Sequence, residues 1–541
     1  MRRRLSLLAV PVLALWLGGS SPGARQLPPY GGAAEFRADL AARRAKTMAS
    51  LGPETILVAW SAPARVYSTD VNYEYRQDSN LLYLTGIDQE ETILVLVPGA
   101  KTKKEIVFSS ESNLTREHWN GHTLTAAEVT DQSGVATVYP LPAFRPFIEA
   151  LLVGTIAPQT PGLAADEFSA FHDAVKAGKA RIGILERLGP TPPAARGCID
   201  APPPPPAANP PSPSTNQPAT ASQGPSAQPA AGSRAAWVAE LQAKVPGIKP
   251  CNALPIVFGQ RQVKTAYEQK VLRRSVEISA EAHIEGMKAA RPGGWEYEVE
   301  AAIEYWYMKN GAMSWGYPSI VGSGPNATTL HYGKSTRQMQ DGDLLLVDAA
   351  ANFQGLTGDI TRTYPVNGKF TKEQREIYEL VLQAQEAGIA AAKPGGTISA
   401  ITAAVRGVFA DGLQKLGLIT DASQVSTWFT HGPVHGIGID VHDPNPETLV
   451  PGSAFVIEPG LYFPEYNLDS LVRRGRGGAP LPPPQDPGAI MAIVKPVFEK
   501  YKNIGVRIED SFLMTEQGLV NLSAKAPRQV AEIERIVGTG K

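Results

Sequence analysis

Apolar residues in the second half of the chain recur with two different periods, one helical and one strand-like. They fall on one helical face in residues 264–290 and 296–309, and the short apolar run 344–347 that follows is typical of a buried strand. The same order of patterns then repeats at 373–392, 398–416, 454–457 and 504–508. Two such halves predict an α/β (α+β) domain with internal pseudo-symmetry over residues 255–537, with its site in the cleft between the halves.

The first part of the chain predicts a separate α/β domain over residues 35–185, where short apolar runs such as 55–60 and 92–97 alternate with helical patches. The segment between the two domains, 190–245, is rich in proline, and residues 190–229 alone hold 14 of the 47 prolines. Such a composition buries too little apolar surface to offset the entropy lost on ordering. We therefore expect this segment to be a disordered linker or insertion.

Residues 1–24 have the order of features that is typical of a secretory signal. Three arginines come first, an apolar run from Leu5 to Leu17 follows, and small residues come next. We expect an exported protein, periplasmic or secreted; the alternative is an uncleaved membrane anchor, although this run is short for a bilayer. Because no later stretch approaches 18 uninterrupted apolar residues, we expect no stable membrane span.

The two cysteines, Cys198 and Cys251, lie on either side of the proline-rich segment. In an exported protein they could form a disulfide that closes this loop; the alternative is two unrelated thiols. Two cysteines are too few for a disulfide-dense scaffold, a cysteine-ligated zinc site or an iron–sulfur cluster. Any metal must therefore be held by oxygen and imidazole ligands.

The overall charge gives no reason to expect a polyanionic partner. Lysine and arginine number 51 and aspartate and glutamate number 52, so the formal net charge is −1. Nucleic acids and anionic membranes are bound largely through an excess of positive charge. We expect no nucleic-acid partner.

Histidine is concentrated in one short segment, since three of the eight histidines lie in HGPVHGIGIDVH at 431–442. His431 and His435 are four residues apart, the spacing of the zinc ligands on a metalloprotease helix. Gly432, Pro433 and Gly436 would interrupt such a helix, and no glutamate follows His431. The segment is therefore predicted as loop and strand, which excludes the helical zinc-protease interpretation.

Four acidic residues each end or interrupt an apolar run in the second domain: Asp348, Asp359, Glu458 and Glu509. An uncompensated carboxylate is costly to bury at such a position. Four carboxylates would be balanced by two divalent cations, and oxygen with imidazole ligands favours Mn, Co or Zn over copper. The pattern therefore predicts a two-metal site, and paired metals of this kind typically activate water for hydrolysis.

Together these segments resemble the pita-bread metallopeptidases, and most closely the aminopeptidase P (Xaa-Pro aminopeptidase) family. The matching stretches of the second domain are YPSIVGSGPNATTLHY (317–332), DGDLLLVDAA (341–350), GDITRTYPVNGKF (358–370), HGPVHGIGIDVHD (431–443), VIEPGLY (456–462) and GVRIEDSFLMT (505–515). In the first domain, YRQDSNLLYLTGID (75–88) and EHWNG (117–121) are similar to the amino-terminal domain of the same family. The resemblance implies a pita-bread catalytic domain preceded by a creatinase-like α/β domain.

The resemblance also assigns roles to individual residues. It implies that Asp348 binds one metal, that His435 and Glu458 bind the other, and that Asp359 and Glu509 bridge both. Glu458 would also be the general base, and His442 would stabilise the tetrahedral intermediate. The proline side of the cleft would be shaped by His331 and His431, while Arg507 and Tyr462 would orient ligands or assist proton movement.

The implied activity is removal of one N-terminal residue from peptides that have proline in the second position. The resemblance also implies two divalent metal ions, with Mn(II) preferred and Co or Zn as alternatives. It further implies a homo-oligomer. A prolidase-like dipeptidase would share every metal ligand and is the nearest alternative. A metal-free pita-bread binding module is a further alternative, but such relatives lose the ligand carboxylates, which are all present here.

Overall fold

A computed structural model describes residues 29–154, 164, 166–185, 198, 234–471 and 487–540 of the chain. The predicted signal segment at 1–24 and most of the proline-rich segment lie outside the described residues.

Helices and strands alternate through most of this range. The helices are α1 (Ala33–Leu51), α2 (Ser79–Thr85), α3 (Leu114–Asn120), α4 (Ala126–Ser133), α5 (Phe144–Val153), α6 (Ser169–Lys176), α7 (Arg234–Lys244), α8 (Leu254–Arg261), α9 (Ala266–Ala289), α10 (Glu296–Lys309), α11 (Lys372–Ala391), α12 (Ile398–Leu416), α13 (Pro487–Tyr501) and α14 (Val530–Ile536). The strands are β1 (Thr55–Trp60), β2 (Val66–Ser68), β3 (Val71–Asn72), β4 (Thr92–Leu96), β5 (Glu105–Ser109), β6 (Thr137–Pro140), β7 (Arg181–Ile184), β8 (Lys249–Asn252), β9 (Ser314–Trp315), β10 (Ile320–Ser323), β11 (Leu344–Asp348), β12 (Ala351–Phe353), β13 (Leu356–Thr357), β14 (Thr361–Pro365), β15 (Ala454–Ile457), β16 (Gly460–Tyr462), β17 (Gly505–Arg507), β18 (Asp510–Thr515) and β19 (Gly518–Asn521).

The amino-terminal domain is built on a mixed sheet that, in the described residues, has the strand order β6-β5-β4-β1-β7-β8. The central strand β1 pairs antiparallel with β4 and parallel with β7. Its side chains alternate between two apolar clusters, with Ile56 and Val58 in one and Leu57 and Ala59 in the other. Both faces of the sheet are therefore covered, as the strand period of two requires.

The structure corrects the expectation that 190–245 is wholly a linker. Residues 234–244 form α7, whose Trp237, Val238 and Leu241 are buried against the first domain, and β8 then adds the sixth strand to its sheet. The proline-rich composition of the preceding residues concealed this short amphipathic pattern. The first domain accordingly continues past the predicted boundary at 185.

Of the two alternatives for Cys198 and Cys251, the structure shows the disulfide, which forms across 53 residues of sequence. Cys251 lies in β8, and the Cys198 N–H also donates to the carbonyl of Asn252. The disulfide therefore fastens Cys198 to the edge strand of the amino-terminal sheet.

The second domain has the predicted internal symmetry. In the first half α10, which packs on α9, contacts β10 of the sheet β10-β11-β14, and in the second half α11, which packs on α12, contacts β15 of the sheet β15-β18-β19. Each pair also begins and turns in the same way. Thr265 with Glu268 and Thr371 with Gln374 form capping boxes at the starts of α9 and α11, and each of these helices ends just before a Pro-Gly-Gly turn.

Among the described residues, none of the helices combines the length and the apolar character that crossing a membrane would need.

Candidate metal centre

Strand register brings the four acidic residues together. Asp348 is the last residue of β11 and lies opposite Thr361 of β14. Asp359 comes two residues before Thr361, so it lies close to Asp348. In the other half, Ile457 pairs with Asp510, which puts Glu458 and Glu509 at adjoining strand ends. The Glu509 N–H donates to the carbonyl of Thr361 and so joins the two halves at this point.

His435 reaches the acids from a folded-back loop, residues 435–443, which we call the histidine hairpin. Its carbonyl accepts from the Val456 N–H of β15, and Gly436 bridges to both Phe455 and Asp443. The Nδ1 atom lies 3.0 Å from the carbonyl oxygen of Gly436, which fixes Nδ1 as the protonated nitrogen. The unprotonated Nε2 lies 3.4 Å from Glu458 Oε1 and 3.5 Å from Asp359 Oδ2, as a metal ligand should.

The five predicted ligands converge on one site. Asp348, Asp359 and Glu509 form one group, and His435, Glu458 and Glu509 form a second; within each group the candidate ligand atoms lie within 4.8 Å of one another. A third group joins Asp359 and His435 to His442. Because Glu509 belongs to both of the first two groups, the arrangement is that of two adjacent metal positions with a shared carboxylate.

The electrostatics of the cluster show that it lacks positive charge. Burial, followed by repulsion from Glu509, raises the pKa of Asp359 and of Glu458 well above the usual range. Burial and the charge of Asp348 raise the pKa of Glu509 to about 8. Its Oε1 atom is buried and has no hydrogen-bond partner among the described residues. An orphaned buried carboxylate oxygen surrounded by other carboxylates fits a bound divalent cation.

Asp348 differs from the other three acids because Arg507 neutralises it. Burial opposes its ionisation, but the Arg507 guanidinium, 2.5 Å away, and the hydrogen bond from Tyr317 outweigh burial and lower the pKa of Asp348. Arg507 also donates to the hydroxyls of Tyr462, at 2.8 Å, and Thr361, at 3.0 Å. Thr361 in turn donates to Glu509 Oε2 at 2.7 Å. One arginine thus orients ligands in both halves.

Tyr317 is a site residue that sequence reasoning missed. Its hydroxyl lies 2.6 Å from Asp348 Oδ1 and also contacts Asp359 Oδ1. Burial and both aspartates raise its pKa well above the ordinary value, so the phenol keeps its proton as a donor. Tyr317 opens the motif YPSIVGSGPNATTLHY, but an uncharged aromatic residue in a sequence gives no signal that it faces metal ligands.

The three histidines predicted to act beside the metal ligands border this cluster and differ in their exposure: His331, His431 and His442. His431 is inside, with Nε2 at 2.9 Å from the Tyr462 hydroxyl and Nδ1 at 3.6 Å from Glu458 Oε2. Burial and then Arg507 lower its pKa to about 3, so its ring is neutral. The exposed His442 packs its ring edge to face against His435, with centroids 4.3 Å apart. His331 is exposed and lies at the same cleft, because it is close enough to contribute, after burial, to the lowered pKa of His442 and, after burial and Arg507, to that of His431.

Two family descriptions match the chain. Residues 270–516 match Metallopeptidase family M24, and residues 40–156 match the Aminopeptidase P, N-terminal domain. The first match contains every residue of the metal cluster.

Curated relatives and solved structures agree with these matches over nearly the whole chain. The Xaa-Pro aminopeptidase of Escherichia coli is 30% identical over 93% of this chain and 98% of its own, and that of Haemophilus influenzae is 28% identical over 92% and 96%. Among solved structures, aminopeptidase PepP of Pseudomonas aeruginosa superimposes with a TM-score of 0.69 at 28% identity, covering 93% of this chain and 98% of that one. A zinc-substituted aminopeptidase P of Escherichia coli in complex with product has the same TM-score and identity and covers 93% and 99%.

Proposed function

The chain belongs to the aminopeptidase P (Xaa-Pro aminopeptidase) family of metallopeptidases, and we propose that it removes the N-terminal residue from peptides whose second residue is proline. It is a peptide hydrolase that uses divalent metal ions. The observation that carries the proposal is the convergence of Asp348, Asp359, His435, Glu458 and Glu509 into two groups that share a carboxylate.

The residues present fit two metal ions. Asp348 would hold one ion, His435 and Glu458 would hold the other, and Asp359 and Glu509 would bridge them. When bound, such a pair supplies a water of lowered pKa and polarises the scissile carbonyl. We propose Mn(II) as the native metal, with Co and Zn as the alternatives that the oxygen and imidazole ligands also accept.

The contacts of the remaining groups support the roles that we propose for them. We propose Glu458 as the general base; one of its carboxylate oxygens lies 3.4 Å from His435 Nε2 and the other lies 3.6 Å from His431 Nδ1. His442, exposed on the cleft side of His435, stabilises the oxygen that becomes negative as the carbonyl is attacked. His331 and His431 shape the proline side of the cleft. Arg507 holds Asp348 ionised and orients the Tyr462 hydroxyl.

This chemistry suits a bond that precedes proline. The bond is a tertiary amide with no N–H, so a peptidase that anchors its substrate through that hydrogen bond handles it poorly. Attack by a water molecule that Glu458 deprotonates does not need that donor. The prolidase-like dipeptidase shares the same ligands, but the relatives that cover the whole chain are named Xaa-Pro aminopeptidases, which favours the aminopeptidase.

Two further proposals concern where the protein works and its assembly. We propose that it is exported, because residues 1–24 have the composition of a signal and because disulfides such as Cys198–Cys251 persist mainly in oxidising compartments. We propose a homo-oligomer. Cell fractionation with a marker for each compartment tests the first proposal, and light scattering of the purified protein tests the second.

The central test is peptide cleavage by metal-free protein reconstituted separately with Mn, Co and Zn. We expect Arg-Pro-Pro to lose its first residue, and Arg-Ala-Pro, which lacks proline in the second position, to be cleaved far more slowly. Cleavage confined to the dipeptide Ala-Pro would favour the dipeptidase, and an absence of cleavage with every metal would contradict the proposed function.

A further inference from the structure

A second cluster of charged side chains, buried except for the partly exposed Asp440, lies where the two domains meet, and we call it the interdomain cluster. Arg261 at the end of α8 contacts both Asp443 and Asp440, the latter at 2.5 Å, and it is 1% exposed. Lys264, three residues later, pairs with the other oxygen of Asp443 at 2.7 Å. Unlike the carboxylates of the metal centre, each of its two aspartates contacts at least one cationic side chain. The cluster does not need a bound cation, so its role depends on which segment of the chain it fixes in place.

The interdomain cluster holds the histidine hairpin. Asp440 and Asp443 lie on either side of His442, and the Asp443 N–H closes the hairpin by donating to the Gly436 carbonyl at 2.9 Å. Packing at the hairpin is close: a Cβ on Gly438 would lie 2.7 Å from Asp443 Oδ2 and 2.9 Å from Lys264 Cε. The hairpin therefore has little freedom to move away from the two basic side chains.

The amino-terminal domain also contacts the histidine hairpin and the interdomain cluster directly. The Ser79 hydroxyl at the start of α2 donates to Asp440 Oδ1 at 2.6 Å. Arg76 Nη2 lies 3.2 Å from the same oxygen and from the Ile439 carbonyl, and Asn80 Oδ1 accepts from Arg261 at 2.8 Å. These three residues belong to the motif YRQDSNLLYLTGID, to which the metal site assigns no role.

We propose that Ser79 and Asp440 form a positioning contact through which the amino-terminal domain sets the place of His442 in the catalytic cleft. Ser79 is a positioning residue, since it reaches the cleft only through Asp440. The inference rests on the proposed function, because it assumes that His442 stabilises charge during peptide cleavage. A displacement of a catalytic group by about 1 Å can lower a rate by up to about a hundredfold. Loss of one hydroxyl contact from a hairpin that keeps Arg261 and Lys264 should have a smaller effect.

The variants that test this contact are Ser79→Ala, Asp440→Ala and the double variant. We expect Ser79→Ala to lower kcat about fivefold with KM unchanged. Asp440→Ala also removes the ion pair between Arg261 and Asp440, and we expect it to lower kcat about twentyfold. If the two side chains act through one contact, the double variant should resemble Asp440→Ala alone. Thr102→Ala is the matched control, because it removes a hydroxyl-to-carboxylate bond of 2.9 Å, to Glu167, in the same domain.

Hydrogen exchange and metal content separate positioning from a general loss of structure. We expect the amides of 436–443 to exchange faster in Ser79→Ala than in wild type, while the rest of the catalytic domain and the metal stoichiometry do not change. The proposal is overturned if kcat of Ser79→Ala equals that of wild type. It is also overturned if kcat falls together with metal content or with protection across the whole domain. Failure of the proposed function is distinct, since wild-type protein would then not cleave Arg-Pro-Pro.

Discussion

The metal centre and the interdomain cluster are both buried groups of charged side chains, yet they are balanced differently. The metal centre sets four carboxylates against one guanidinium, that of Arg507, and its imidazole is neutral. The interdomain cluster sets Asp440 and Asp443 against Arg261 and Lys264, and the exposed Arg76 also contacts Asp440. Burial works against ionisation of Asp440, but Arg261 and the Ser79 hydroxyl lower its pKa, whereas the pKa of Glu509 is raised to about 8.

The difference shows that charge balance decides what a buried cluster does. A balanced cluster is satisfied by the protein alone, and breaking it costs stability. A cluster with an excess of three negative charges is not satisfied by the protein, and one dication would still leave it negative. The unbalanced cluster therefore calls for cations, and its two ligand groups that share Glu509 agree with two metal positions. Removal of one charge should accordingly have opposite effects on stability at the two clusters.

Removing one charge from the metal centre should have the largest effect on activity. We expect Glu509→Gln to lower kcat by about a thousandfold or more, because the shared carboxylate of both metal groups is lost. Metal stoichiometry measured on the purified variant should fall below two ions per chain. The free energy of unfolding of the metal-free variant should not fall, because a buried carboxylate without a counter-charge has been removed.

Glu304→Gln is the control for that experiment. Glu304 is a partly buried acid of the same domain that accepts from the Ser319 hydroxyl at 2.9 Å and does not belong to the metal groups. We expect it to keep wild-type metal content and activity. A Glu509→Gln enzyme that binds two ions and turns over normally would contradict the assignment.

Removing one charge from the interdomain cluster should instead lower stability. We expect Lys264→Met to reduce the free energy of unfolding by about 1.5 to 3 kcal/mol, because Asp443 loses one charged hydrogen-bond partner in a buried site and keeps Arg261. Metal stoichiometry should be unchanged. Denaturant unfolding measures the loss, and Lys525→Met, which breaks an exposed pair with Glu277 and Glu281, should cost less than about 1 kcal/mol.

Metal removal should make stability depend on pH in a direction that the pKa of Glu509 fixes. In the metal-free folded state this pKa is about 8, against 4.5 for an unperturbed glutamate, so the folded state keeps a proton that the unfolded state has lost. The stability that protonated Glu509 gives the folded state is therefore fully present below about pH 4.5 and is lost as the pH rises through about 8. The raised pKa values of Asp359 and Glu458 act in the same direction.

Thermal unfolding at pH 5, 6.5 and 8 measures this effect. We expect the Tm of metal-free protein to fall across the series, and the stabilisation by added Mn(II) to be largest at pH 8, where the ligands are ionised. Parallel Tm curves with and without metal would show that the cluster is balanced without ions.

The sequence predicted the parts of the molecule that depend on local pattern. The family, the fold class and the class of enzyme are confirmed. Apolar periods specify the repeated helix pairs and strands, and strand-end acids such as Asp348 and Glu458 stand out from apolar runs. The family itself was identified by the resemblance of the motifs and not by these periods. The sequence left the pairing of Cys198 with Cys251 open, and the structure shows that they form a disulfide.

Other features depend on contacts between residues far apart in the chain, which a period cannot show. Tyr317 meets Asp348 and Asp359 only after β11 and β14 pair, and Ser79 meets Asp440 only after the two domains pack. Helix α7 was missed for a different reason, since the proline-rich residues before it dominated the composition of the segment 190–245.

The smallest expected effect concerns a neutral group at the edge of the unbalanced cluster. Tyr317→Phe removes a hydroxyl that orients Asp348 and Asp359 but leaves every charge and every ligand in place. We expect metal affinity, measured by titration calorimetry, to fall about tenfold, with kcat close to wild type once metal is saturating. Tyr307→Phe is the matched control, because its buried hydroxyl has no hydrogen-bond partner among the described residues. If Tyr317→Phe matched that control in metal affinity, charge alone would govern binding at this site and the orientation of its aspartates would not matter.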